Sequence, residues 1–463
     1  METKESSAVS GRIRPGAVAV ASAVLPGSGQ VINRQPAKGA GWFLLAVLVV
    51  VSEVVTGHYL IGPEGYSPRA NGGWIVHGLW GLVTLGTQPR AMTLAGLSEG
   101  DHSIALLAQG LIAAFGLLLC AAVWWWGVRD ALTVARSLRD GQAPQSSRQW
   151  VRDTLNGTTA YVMLVPSVLL LFFVSVLPIV FGVLIGFTSY DRNHTPPAEL
   201  VSWVGLENFG KVLAVGTWAR TFFGVLTWSV SWAVLATATT YLFGFLQALL
   251  INARGVLFPK MWRSIFILPW AVPAMVSALV FRSMFNGQFG PVSRFLVDIG
   301  LTDERVNWFT DASQPHLARA VALLLNLWLG FPYFMALISG TLTNIDKSLY
   351  EAADIDGAKP WQAHRYITLP IVYRATAPLV LMSLVSNFNN FGVIYFLTEG
   401  GPASSAYTYA GSTDLLITWL YKLTLDNRMY NIGSVMSLFI FVIVGTFSTW
   451  SLRRNAMTEG AER

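Results

Sequence analysis

The chain of 463 residues is 53% hydrophobic and only 12% charged, with a mean hydropathy of +0.50. Soluble domains carry about 25% charged residues, so the composition excludes an ordinary soluble globule and points to an all-α integral membrane protein. A net charge of +6 would suit a nucleic-acid ligand, but the placement of the cations accounts for it otherwise, and the single Cys120 excludes an intrachain disulfide.

The first apolar run starts near Gly39, after residues that include Lys4, Arg12, Arg14, Arg34 and Lys38, so no cleavable signal peptide is expected. The stretch LPGSGQVINRQPAKGAGW is too short and too rich in Gly and Pro to span, and reads as a cytoplasmic or interfacial lead-in. Uncharged windows then predict eight transmembrane helices, at about 40–57, 104–128, 161–188, 221–250, 264–285, 318–341, 376–397 and 432–452. Each is near the ~20 residues that cross a hydrocarbon core as a helix. The fifth window is the weakest because it holds Pro269 and Pro273. The apolar stretch 72–86 is short, reads as interfacial or re-entrant, and is not counted.

With the N-terminus cytoplasmic, inner segments hold 20 of the 31 basic residues and outer segments eight. This bias predicts that both termini and residues 342–375 are cytoplasmic, and it explains the basic charge without nucleic acid. Trp124-Trp125-Trp126 marks the cytoplasmic interface in this arrangement. Glu53, near the end of the first span, reads either as a functional intramembrane acid or as a solvated carboxylate.

Residues 346–370 form a polar link whose chemistry predicts two short helices. Asp346 caps KSLYEAADI, and Gly357 stops it by taking the left-handed conformation. Pro360 opens PWQAHRYITL and Pro370 ends it. From these residues alone an ordinary interfacial loop is an equal alternative.

Glu351-Ala352-Ala353, three residues, Gly357, nine residues and Ile367-x-Leu369-Pro370 match the complete signature of ABC importer permease subunits. ILPWAVPAMVSALVF, NLWLGFPYFM, NFNNFGVIYFLTEGGP and YAGSTDLLITWLYKLTL resemble the maltose/maltodextrin (MalF-type) members, over roughly residues 155–455. The resemblance implies a type I ABC importer permease fold. It divides the chain into residues 1–153, a cytoplasmic segment with two accessory spans, and 154–463, a six-helix core with a coupling element at 346–370. It implies that Glu351, Ala352, Ala353 and Gly357 dock on an ATPase. The implied partners are a second, MalG-type permease, two MalK-type ATPase subunits and an extracytoplasmic binding protein, with membrane lipid around them. One departure is the link 189–219, too short for the large extracytoplasmic domain of enterobacterial MalF.

Two spans carry polar residues at helical spacing. Ser383, Ser386, Asn387 and Asn390 fall on one predicted face, as do Asn326, Gly330 and Tyr333. Amides, hydroxyls and an aromatic ring suit a neutral sugar, but Asn and Ser also join transmembrane helices, and the residues alone leave the two readings even. The resemblance implies sugar contacts for Asn326, Leu329, Gly330, Tyr333, Ser383, Asn387 and Asn390. At Ser386 the enterobacterial pattern has Phe.

No G-x-x-x-x-G-K-[ST] occurs, so ATP and magnesium belong to a separate ATPase chain and no cofactor is expected here. No metal-ligand spacing and no nucleophile–base pair is found, which argues against a membrane enzyme. The near absence of intramembrane charge argues against an ion-coupled secondary transporter.

Overall fold

A computed structural model describes residues 14–59, 67–93, 96–140, 163–214, 216–253 and 255–460. The expected boundary at 153/154 lies outside the described residues, as do Lys4 and Arg12. The chain packs as two compact units, Met1–Gly205 and Leu206–Arg463.

The first unit runs α1 (Pro15–Val24), α2 (Ser28–Ile32), α3 (Pro36–Thr56) and α4 (Trp74–Thr84). A two-residue antiparallel hairpin, β1 (Met92–Thr93) and β2 (Gly96–Leu97), leads to α5 (Ser103–Arg139) and α6 (Met163–Ile185). The lead-in, too short to span, is partly helical. The uncounted stretch 72–86 forms α4, whose 11 residues are too few to cross a bilayer. It packs closely on α5, where Gly78 faces Ala113 and Gly81 faces Leu106.

Glu53 has a definite structural role. Its carboxylate accepts from the backbone N–H groups of Gly73 (3.0 Å), Ile75 (2.7 Å) and Val76 (3.2 Å), and from the Tyr59 hydroxyl. It therefore holds the N-terminus of α4, where unpaired donors and the helix dipole favour a negative group.

The second unit begins with α7 (Glu207–Ala214) and the long α8 (Gly216–Asn252). The fifth predicted span is broken into α9 (Pro259–Ala271) and α10 (Ala274–Met284), bent by 88°. Pro273 is the N-cap of α10 and its extended backbone ends the helical path. Next come α11 (Pro291–Asp298), α12 (Pro315–Thr343), α13 (Lys347–Ile355) and α14 (Pro360–Phe388). The unit closes with α15 (Phe391–Thr398), α16 (Leu416–Tyr421) and α17 (Tyr430–Gly460). Seven helices are long and apolar enough to cross a membrane, or eight with the bent α9–α10 pair as one span, among the described residues.

Around α8 the core is built by fully buried Trp232, Leu325, Phe334, Met335 and Ile338, so α8 and α12 pack along each other. Arg319 stacks on Trp228 (4.1 Å) and donates to the Ser412 carbonyl (2.7 Å), fixing segment 409–425 at the end of α12.

Two expected element ends are corrected. Pro370 does not end a helix, because α14 runs unbroken from Pro360 to Phe388. A π turn at His364–Thr368 precedes the proline, with the Leu369 N–H bonded to the His364 carbonyl. That wider turn takes up the register a proline would otherwise break. The window 376–397 is not one helix either. Asn390 accepts from the Val393 N–H (3.3 Å) and starts α15, because its side chain competes with the backbone ladder.

Candidate functional site

A cavity of about 280 Å³ opens in the second unit between α8, α10, α12, α14 and α15. All seven residues proposed from the sequence line it: Asn326, Leu329, Gly330 and Tyr333 from α12, Ser383 and Asn387 from α14, and Asn390 from the break after α14. Ser386 does not, being exposed on another side of α14. The helical spacing placed Ser386 with the other three. The break at residues 389–390 is what brings Asn390 to the cavity instead.

The amides form one chain. Asn390 Nδ2 donates to Asn326 Oδ1 (3.1 Å) and lies 3.4 Å from Asn387 Oδ1, and Asn387 Nδ2 donates to Thr237 Oγ1 (3.0 Å). Trp232 Nε1 donates to the Asn387 carbonyl (3.1 Å) and fixes the end of α14. These bonds tie α8, α12 and α14 together, so the adhesion role of the amides is realised. Capacity is nonetheless left over. Asn326 Nδ2, the Ser383 hydroxyl and the Tyr333 hydroxyl have no hydrogen-bond partner among the described residues, and all three residues face the cavity. Tyr333 is set by Trp270, whose ring lies 5.9 Å away and whose Nε1 donates to the Leu329 carbonyl (3.2 Å).

Four lining residues were missed from the sequence: Thr240, Ala274, Phe334 and Val393. Thr240 gave no signal because its hydroxyl bonds the Ala236 carbonyl (2.7 Å) of its own helix, as many helical threonines do. Its methyl is nevertheless decisive: a Cβ on Gly330 would sit 2.7 Å from Thr240 Cγ2. No lining residue is ionisable except the tyrosine, so a cavity of amides, hydroxyls and aromatic surface has the chemistry for a neutral polyhydroxylated ligand.

The second candidate element stands at the surface. Asp346 caps α13 through the Ser348 N–H (2.9 Å), and that bond holds its carboxyl below the usual range. Gly357, at φ +72°, closes the helix with Ala358 N–H to the Ala353 carbonyl (2.9 Å) and Gly357 N–H to the Asp354 carbonyl (3.1 Å). Glu351 and Ala352 are exposed and Ala353 half-buried, and no residue of α13 is fully buried. Leu349, Ile355, Trp361 and Tyr366 lie exposed beside them, Ile355 at 86%.

Residues 240–456 match the family described as binding-protein-dependent transport system inner membrane component. The galactooligosaccharides transport system permease protein GanP of Bacillus subtilis is 36% identical over 94% of this chain and 97% of its own length. The maltodextrin transport system permease protein MalC of Streptococcus pneumoniae is 31% identical, over 93% of this chain and 94% of its own. MalF of Salmonella typhimurium is 34% identical over 58% of this chain and 52% of its own. Among solved structures, a bacterial ABC transporter that imports alginate matches with a TM-score of 0.54 at 22% identity, covering 67% of this chain and 99% of that one, which supports the fold alone. The cavity, the broken spans and these likenesses agree, and the chain belongs to the binding-protein-dependent transport system inner membrane components, the transmembrane permease subunits of ABC importers.

Proposed function

We propose that the chain forms half of the translocation pathway of an importer for a neutral oligosaccharide of the maltodextrin type. The observation that carries this reading is the cavity's three unpartnered hydrogen-bonding groups, on Asn326, Tyr333 and Ser383, beside a Tyr333 ring held by Trp270. A sugar hydroxyl takes such groups as partners, and its apolar face takes the ring. GanP and MalC are named for two sugar classes, galactooligosaccharides and maltodextrins. The second reading is therefore a galactooligosaccharide importer.

In both readings α13 and Gly357 form the contact with a separate ATPase, and a second permease and an extracytoplasmic binding protein complete the assembly. ATP binding would shift the equilibrium between inward-open and outward-open states through its different affinity for the two. The test is uptake into vesicles holding the assembled complex, with maltodextrins and galactooligosaccharides offered separately. ATP-dependent accumulation of maltodextrin is expected. Accumulation of the galactooligosaccharide alone would replace the first reading with the second, and ATP-independent uptake would end both.

Both termini and the α13 region are proposed to be cytoplasmic. Lys359→Cys in a Cys120→Ser background is expected to resist an impermeant maleimide in intact cells and to react once they are opened. Labelling in intact cells would reverse the orientation.

A further inference from the structure

In the first unit, α1 and α2 form a hairpin against α5. The Ser22 carbonyl accepts from Trp124 Nε1 (3.2 Å), while Val18 packs with Ala131 and Ala135, so α1 runs antiparallel to α5. The chain turns at Leu25-Pro26-Gly27, where Gly27 has φ +88° and a Cβ would overlap the Gly39 carbonyl. It then returns, with Gln30 Nε2 donating to the Gly127 carbonyl (2.8 Å) and Asn33 Nδ2 to the Ala131 carbonyl (2.8 Å). The tip therefore sits level with Trp124, inside the uncharged part of α5, and the open end lies level with its charged part.

Three features say what surrounds this hairpin. First, α1 has 10 residues and no charge, too short to span, yet it leaves Val20 (63%), Val24 (78%) and Leu25 (52%) exposed. Val31 and Ile32 on α2 are exposed as well, and the apolar surface of α3 continues from there. Second, Trp124, Trp125 and Trp126 are exposed at the same level, as aromatic side chains are at a membrane interface. Third, the open end carries Arg14, Arg34, Arg129 and Arg136, all exposed, the last two on one face of α5. Asp130 is taken by the buried Lys38 (2.6 Å) and Asp140 lies by Arg139 (3.7 Å). Those four arginines thus have no carboxylate partner among the described residues.

An apolar tip level with a belt of tryptophan, with guanidinium groups that lack carboxylate partners on its polar side, has the layering of the interfacial zone of one bilayer leaflet with negative headgroups. We propose that the α1–α2 hairpin is an interfacial wedge whose tip reaches the boundary between headgroups and acyl chains while Arg34, Arg129 and Arg136 bind the phosphates of anionic phospholipids. Guanidinium suits this because its fork meets phosphate oxygens two at a time.

The test uses the full-length chain in phosphatidylcholine vesicles with and without phosphatidylglycerol. A fluorophore on Leu25→Cys, in the Cys120→Ser background, is expected to be quenched by acyl-chain spin labels. Spin-labelled phosphatidylglycerol is expected to associate in preference to phosphatidylcholine. A basic side chain near an anionic surface contributes about fivefold, so Arg34→Gln/Arg129→Gln/Arg136→Gln should cut that preference by roughly tenfold or more. The matching Lys variants should keep most of it, which separates charge from folding. An unquenched tip means that protein covers the hairpin and overturns the wedge. Equal association of the two lipids with the wild-type chain overturns the headgroup site.

Discussion

Gly330→Leu is expected to abolish substrate uptake while the protein still inserts. The added side chain starts 2.7 Å from Thr240 Cγ2 and extends into a cavity of about 280 Å³. Two effects are mixed in that result: crowding between α8 and α12, and loss of the space itself. Overpacking a tight core costs about 1–3 kcal/mol. They separate with a smaller change. Gly330→Ala alone should lower the thermal stability of the purified complex, and adding Thr240→Ser should restore it, because serine lacks the obstructing methyl and keeps the hydroxyl that bonds Ala236. Gly330→Leu with Thr240→Ser should regain stability without regaining uptake. Normal uptake in that double variant would show that the cavity is not on the substrate's path.

Gly357→Val should strongly reduce ATP-driven transport with little change in membrane insertion. A β-branched residue resists the left-handed conformation that Gly357 holds at φ +72°, so the turn between α13 and α14 would open. Nothing lies within 4 Å of a Cβ there, so the damage is to the backbone and not to packing. Gly357→Asn is the discriminating control, since asparagine tolerates that conformation and should retain a large part of the activity. The measurement is ATPase stimulation and uptake in reconstituted complexes. Equal, wild-type rates for the valine and asparagine variants would remove α13 from the coupling pathway.

Much of the architecture is readable because a hydrocarbon core is a severe filter: windows free of charge had to be helices, and their number follows. The break between α9 and α10 was signalled by Pro269 and Pro273, though not its 88° bend. The break at Asn389-Asn390 was hidden, because asparagines at helical spacing read as one polar face when one of them is in fact a cap. Pro370 misled for the opposite reason, since a proline is a reliable stop only where the helix cannot widen. Of the cavity, the polar members announced themselves by being polar in an apolar run. Its apolar and self-bonded members, Ala274, Phe334, Val393 and Thr240, look in the sequence like any other core residue. The short helices at 15–32 were missed because they lack the length that marks a span.

The uninterrupted course of α14 would let it act as a lever in the proposed coupling. Its 29 residues form a rod about 43 Å long at 1.5 Å per residue, starting three residues after Gly357 and carrying Ser383 and Asn387 near its far end. A tilt of roughly 5° about one end of such a rod moves the other by roughly 4 Å. That is more than a hydrogen-bond length, enough to part Asn387 on α14 from Thr237 on α8. No loop lies along that path to absorb the stroke. The π turn at His364–Thr368 and Pro378 interrupt the regular hydrogen bonding of α14, so in the proposed coupling stiffness at those two places would set how far a displacement at the surface is felt at the cavity.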